Sequence, residues 1–137
     1  MTVDVPSSHL DILHSTGLAF VATLHHRDSG VRPQVSPTWF HWDESAGHLL
    51  ISLTDRRQKY RNLRREPAVA VCLTDPANPY RYIELRGSVV AIDEDHGHRL
   101  IDRLASTYVG VSTFDHRPGD GQRLIVRIAP DSLRCFG

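Results

Sequence analysis

The stretch Arg56–Arg65, RRQKYRNLRR, packs six Arg or Lys residues into ten positions. It directly follows HLLISLT, where Ser52 and Thr54 place hydroxyls at the end of a strand-like segment. A helix beginning at this corner brings unpaired backbone N–H groups and the positive end of its dipole. Arg57 and Lys59 fall within its first turn or so. With Ser52 and Thr54 they would make an anion pocket suited to a phosphate. The same run also reads as a solvated cationic face balanced by acids elsewhere. The run alone leaves both readings open.

Two further groups bear on that choice. In QVSPT, the side chains of Gln34, Ser36 and Thr38 alternate onto one strand face. A flat heterocycle with carbonyl and N–H edges needs such hydrogen-bonding partners, although a solvent-facing strand shows the same alternation. In PYRYIEL, Tyr80 and Tyr82 follow a tight turn. They suit covering a bound ring, packing at a subunit interface, or ordinary cross-strand packing.

Other chemistry finds little support. Ser36 and Ser52 lie outside any GxSxG context, and neither a GxGxxG nor a GxxxxGK[ST] loop occurs. The nine histidines form no HExxH pattern, and His96 and His98, two apart, suit a strand. Cys72 and Cys135 are far apart and not in metal-type spacing. No metal site is expected and no catalytic residue is assigned. Redox chemistry, if present, would be a bound cofactor's own.

The composition sets the frame for these residues. A chain of 137 residues, 40% hydrophobic, fits one domain, 1–137, with a real core. Lys plus Arg and Asp plus Glu are both 16, a formal net charge of +0. That argues against holding nucleic acid by bulk charge. No apolar run approaches a membrane span. The opening MTVDVPSSHLDIL has no basic segment followed by an apolar one, so secretion is not expected. Two isolated cysteines suit a reducing cytoplasm.

The elements that must position the candidates read as follows. Ser8–His14 is a short helix capped by Ser7 or Ser8. Gly17–Leu24 is a strand buried on both faces, ended by the turn cluster HHRDSG. Arg32–Trp42 is a second strand, with Pro37 marking a bulge or an exposed edge. His48–Thr54 follows a hairpin turn at Asp43–Gly47. Asp55 with Gln58 resembles a capping box opening the basic helix, which Tyr60 and Leu63 anchor and Pro67 stops. Ala68–Leu73 and Tyr80–Ile92 are strands, the latter bent at Gly87. Asp93–Tyr108 is a helix with an apolar stripe and Gly110 as C-cap. A polar loop leads to a strand Arg123–Ala129 and a short addition Leu133–Phe136. Six or seven strands joined by hairpins predict a mainly β, antiparallel barrel with two helices packed outside.

The segments GLAFVATL, RPQVSPTWF, HLLISL, RRQKYRNLRREPAVAVCL, NPYRYIELRGSVV, LIDRLASTYVG and RLIVRIAPDSLRCFG resemble the flavin-type split β-barrel family related to pyridoxamine 5'-phosphate oxidase. They are most similar to the actinobacterial branch that uses the deazaflavin coenzyme F420. The resemblance covers nearly the whole chain. It implies a homodimer with two cofactor sites at the subunit interface and a small-molecule substrate. It places the cofactor phosphate at Ser52, Arg57 and Lys59, with Asn62 nearby. The ring would lie along Gln34, Val35 and Ser36, and Tyr80 and Tyr82 of the other subunit would close the site. FMN is the alternative cofactor. F420 carries a phosphodiester and a glutamate tail, which suits the additional cations Arg56, Arg61, Arg64 and Arg65. The expected activity is hydride transfer from reduced F420. The alternatives are an FMN flavoprotein and a non-catalytic cofactor- or haem-binding barrel. The late Asp115-His116-Arg117 does not reproduce the Arg-x-His-Asp substrate motif of pyridoxamine phosphate oxidases, so that activity is not expected.

Overall fold

The computed structural model describes residues 3–137, so the first two residues of the opening stretch lie outside the described residues. The described residues form seven strands and three helices. The strands are β1 Ala19–Arg27, β2 Gly30–Thr38, β3 His41–Asp43, β4 His48–Thr54, β5 Ala68–Asp75, β6 Asn78–Glu94 and β7 Arg123–Phe136. The helices are α1 Leu10–Leu13, α2 Gln58–Arg65 and α3 Arg99–Val109, with single 3₁₀ turns at Ser7–His9 and His96–His98. Every strand pair is antiparallel.

The strand order, β2-β1-β5-β6-β7-β4-β3, makes β2 and β3 the two edges of the sheet. In the chain, only Trp39 and Phe40 separate them. From Thr38 to His41 the backbone reaches at most roughly 11 Å. A flat sheet of seven strands would be roughly 29 Å wide. The sheet must therefore curl until its edges approach each other. The result is the mainly β split barrel expected from the sequence, open along one seam.

The interior follows from strand alternation. Ala19 and Val21 of β1, Leu49, Ile51 and Leu53 of β4, and Val126 and Ile128 of β7 are buried in one core cluster. The opposite face of β4 is covered too. Leu50 packs with Leu100 and Leu104 of α3, backed by Trp39, Tyr108 and Ile125. α3 therefore lies outside the barrel, as expected. α2 does not. Its Leu63 is part of the main core, and its Asn62 bonds the inward-facing Thr23 of β1. It starts directly after β4, near one edge, and reaches β2, the other edge, so it bridges the seam.

Several local expectations are corrected. β1 buries one face, not two: Ala19, Val21 and Thr23 point inward while Phe20 is exposed. It also runs through His25 and His26, which pair with Arg32 and Val31. The second strand is two strands, because the chain crosses from one sheet edge to the other at Trp39–Phe40. Pro33 and Pro37 sit on edge strand β2, where a missing N–H is tolerated, and its pairing to β1 is regular, without a bulge. The capping box does not form. Asp55 Oδ1 instead accepts from Gln122 N at 3.0 Å, tying the end of β4 to the start of β7. α2 has no side-chain cap, and neither does α1, where Ser8 bonds the neighbouring His9. His96 and His98 lie in a 3₁₀ turn, not a strand. The last strand is one continuous element. Its Pro130 stands opposite Gly87, where the register shifts. A Cβ at Gly87 would sit 2.1 Å from the Ala129 carbonyl oxygen, which is why the bend falls on glycine.

Candidate functional site

A cleft of about 440 Å³ opens where the seam meets the basic helix. Gln34, Ser36 and Thr38 of β2 line it because they share a sheet face with Thr23, Val21 and Ala19, their partners on β1. Deeper in the barrel that face is filled by core side chains. At the edge strand it is open. Ser52 enters from β4, on the same face that α3 covers at Leu50, and Ile101 of α3 lines the cleft beside it. Arg57, Gln58 and Lys59 come from the start of α2, and Arg123 from the start of β7. Trp39 and Phe114 form the aromatic wall. The Trp39 ring stacks on Tyr108 at 5.4 Å and meets Phe114 edge-on at 6.3 Å.

The electrostatics are one-sided. Arg57, Lys59 and Arg123 converge on the cleft, and among the described residues none of them is ion-paired with a carboxylate. Burial holds the Lys59 ammonium below the usual lysine range, and the neighbouring Arg57 charge adds to the effect. Burial likewise lowers Arg123, with Arg57 adding to it and Asp120 opposing it. The Arg123 guanidinium lies over the Phe114 ring at 5.0 Å. Two polar atoms here are buried without a hydrogen-bond partner among the described residues, Ser52 Oγ and Arg123 Nε. Uncompensated cations and orphaned donors at one end of a cleft are the signature of a site built for an anion. A second cleft of about 580 Å³ shares Arg57, Phe114 and Arg123 and continues past Arg56, Arg117, Asp115 and Asp120, a lining of mixed charge.

Five of the nine residues that the resemblance assigns to the cofactor therefore meet in one place, Gln34, Ser36, Ser52, Arg57 and Lys59, together with Thr38, which the strand alternation also singles out. Asn62 lies beneath them, only 3% exposed, with its amide engaged by Thr23, Gln34 and Gln58. The Val35 side chain lies on the opposite sheet face and is 65% exposed. Tyr80 and Tyr82 do not line this cleft within one chain. Tyr80 is 82% exposed. Tyr82 stacks on Phe136, its cross-strand partner, at 4.7 Å, the ordinary packing that the sequence left open. Thr38, Trp39, Gln58, Phe114 and Arg123 complete the wall. An unbroken strand over Arg32–Trp42 would turn Trp39 away from Gln34 and Ser36, whereas the crossing between β2 and β3 brings it into the wall. Phe114 and Arg123 come from the loop and strand after α3, and nothing in local spacing ties them to residues 34–59.

The profile of the pyridoxamine 5'-phosphate oxidase family matches residues 6–135, nearly the full chain. The chain belongs to this family. A solved structure described as an F420 reductase is 36% identical to this family member, covers 95% of this chain and 98% of its own, and superposes with a TM-score of 0.80. A conserved hypothetical protein from Mycobacterium tuberculosis is 24% identical over 98% of this chain and 86% of its own, with a TM-score of 0.73. General Stress Protein 26 from Bacillus anthracis shares the fold at 20% identity and a TM-score of 0.65, covering 93% of this chain and 94% of its own. No curated protein matches the sequence. Within this family member, no helix of the described residues is long and apolar enough to cross a membrane.

Proposed function

We propose that this protein is an oxidoreductase that binds the deazaflavin coenzyme F420 in the cleft between β2, β4 and α2 and uses it to reduce a small organic molecule. The observation that carries this reading is the 36% identity, over nearly the whole of both chains, to a structure described as an F420 reductase. The cleft supports it. A phosphate needs cations and donors that have no other partner, and Ser52, Arg57, Lys59 and Arg123 meet that need.

Bound in reduced form, the coenzyme supplies a hydride to an electron-poor double bond or imine. The chain's own residues bind and orient. Arg57, Lys59 and the Ser52 hydroxyl hold the phosphate at the seam. Gln34 and Ser36 offer hydrogen bonds along the ring edge. Trp39 and Phe114 wall off one side of the cleft from water. Arg56 and Arg117, interleaved with Asp115 and Asp120, line the adjoining cleft and are the cations nearest to hand for a carboxylate-bearing tail. A second copy of the chain supplies Tyr80 and encloses the ring. Solvent supplies the proton that completes the reduction.

The test is the absorbance spectrum of the purified protein, followed by titration with F420 and, separately, with FMN. The expected result is saturable quenching or enhancement of F420 fluorescence with weaker binding of FMN. A yellow FMN-loaded preparation that ignores F420 would reverse the cofactor assignment.

A further inference from the structure

A chain of side-chain hydrogen bonds runs from the surface of α2 to the cleft. The Arg61 guanidinium donates to Gln58 Oε1 through Nε at 3.2 Å and Nη2 at 2.7 Å. Gln58 Nε2 donates to Asn62 Oδ1 at 2.8 Å. Asn62 Nδ2 donates to Gln34 Oε1 at 2.8 Å and to Thr23 Oγ1 at 2.9 Å. Arg61 is exposed, Asn62 is buried, and Gln34 lines the cleft.

The direction of this chain is dictated by chemistry. An amide can be turned either way, but a guanidinium only donates. Arg61 therefore requires the carbonyl end of Gln58. That leaves the Gln58 N–H groups for Asn62, which must receive them on its own carbonyl. Both N–H groups of Asn62 are then committed, one to Thr23 and one to Gln34. Gln34 must accept with its oxygen. What remains of the Gln34 amide for the cleft is its pair of N–H donors.

We infer that Arg61 sets, through Gln58 and Asn62, the orientation of the Gln34 amide, so that the cleft presents donors to an acceptor edge of the bound ring. Asn62 is on this view a positioning residue and not a cofactor contact. The identity of the ring rests on the proposed function, whereas the polarity of the hydrogen-bond chain does not. A ring edge with carbonyl or unprotonated nitrogen acceptors is selected, and one offering N–H groups at that point is rejected.

Two substitutions invert the chain at different points. Asn62→Asp replaces a group that donates to Gln34 with one that only accepts, so Gln34 must turn its N–H groups inward. Arg61→Glu, on the surface, offers Gln58 an acceptor and reverses every link. In ¹⁵N-labelled full-length protein, the Gln34 side-chain amide is identified by its loss in Gln34→Glu. The expected result is a cleft-facing amide in the wild type that exchanges readily with water. In both inverted variants its resonances shift and exchange slows by about tenfold or more. An unchanged Gln34 amide in both variants overturns the inference, whether or not any cofactor binds.

The ligand arm uses F420 as the probe. Asn62→Asp weakens binding about tenfold. Asn62→Asp placed in a Gln34→Ala background causes no further loss, because the effect passes through Gln34. A loss of the same size in that background would show a general charge effect and overturn the positioning role. A wild-type protein that binds neither F420 nor FMN overturns the functional proposal, and the amide exchange still decides the orientation.

Discussion

The residues at the anion end of the cleft are not equivalent. Arg57 is exposed, so water and salt screen its pull on a ligand. Lys59 is half-buried and already destabilised as a cation by burial and by Arg57. An anion arriving beside it relieves that cost. Lys59→Ala should therefore weaken binding of a phosphate-bearing ring by about 1.5–3 kcal/mol, the range for a hydrogen bond to a charged group. Arg57→Ala should cost less, and its effect should fade in high salt. Titration of each variant by cofactor fluorescence at two ionic strengths checks both statements. Unchanged affinity in the double variant would sink the phosphate corner. The pH dependence follows from the same lowered Lys59 value. The ammonium is lost as pH rises through a value below the usual 10.5. Ligand affinity should hold at neutral pH and decline in the alkaline range before an ordinary lysine titrates. Without ligand the sign for stability is opposite. The unfolded chain holds that proton more tightly, so this group's penalty is fully present below the folded value and disappears as pH rises towards 10.5. Thermal melts of the ligand-free protein across that window, compared with Lys59→Met, isolate the contribution. Charge and hydroxyl placement made Ser52, Arg57 and Lys59 legible in the sequence. The role of Asn62 was not, since its partner Thr23 stands 39 positions away and meets it only once the barrel curls.

At the scale of elements, α3 fixes one side of the cleft, and two polar contacts fix α3. The buried Asp95 carboxylate accepts from the backbone N–H groups of Leu100 and Ile101, both at 3.0 Å. These are donors that the first turn of a helix leaves unpaired. At the other end the Tyr108 hydroxyl donates to Gly17 O at 2.7 Å and accepts from Phe40 N at 3.2 Å. It thus clamps α3 to the start of β1 and to the two-residue link between the sheet edges. Asp95→Ala should destabilise the fold by about 1–2 kcal/mol, read as a lowered midpoint in urea. Asp95→Asn should recover part of the loss, because an amide oxygen still accepts one of the two bonds. A fold unaffected by Asp95→Ala would mean that packing of Leu100 and Leu104 on Leu50 holds the helix alone. The amphipathic stripe of α3 and its Gly110 terminus were readable from spacing, and the structure keeps both. Its cap was not, since Asp95 acts across an intervening 3₁₀ turn in which His98 takes a left-handed conformation. At α2 the local spacing points to a cap that the fold does not form. Asp55 and Gln58 have capping-box spacing, but a backbone N–H from the distant Gln122 claimed the carboxylate first.

For the whole molecule, one face of the barrel is unfinished. Val31, Pro33, Val35 and Pro37 of β2 stand opposite His26, Leu24, Ala22 and Phe20 of β1, on the face turned away from the core. Val31, Val35 and Phe20 are exposed. A groove of about 340 Å³ continues this surface over Ala68, Ala70 and Gly87. Contiguous exposed apolar surface of this kind is what association sites commonly present, and here it belongs to the strand whose other face lines the cleft. A chain that is neutral overall and carries its cations beside the seam also has little charge repulsion to keep two copies apart. The sequence showed the alternation that makes this face. It could not show that the face is uncovered, because that depends on where α2 and α3 pack. Light scattering on a sizing column should give twice the mass of one chain, and Val35→Asp should shift the equilibrium towards monomer by burying an unpaired charge. If the second subunit supplies Tyr80 to the ring, the monomeric variant should also bind F420 more weakly, and Tyr80→Ala in the dimer should reproduce much of that loss. A Val35→Asp monomer that binds F420 with full affinity would show that one barrel holds the coenzyme alone. The exposed face would then serve assembly without completing the site.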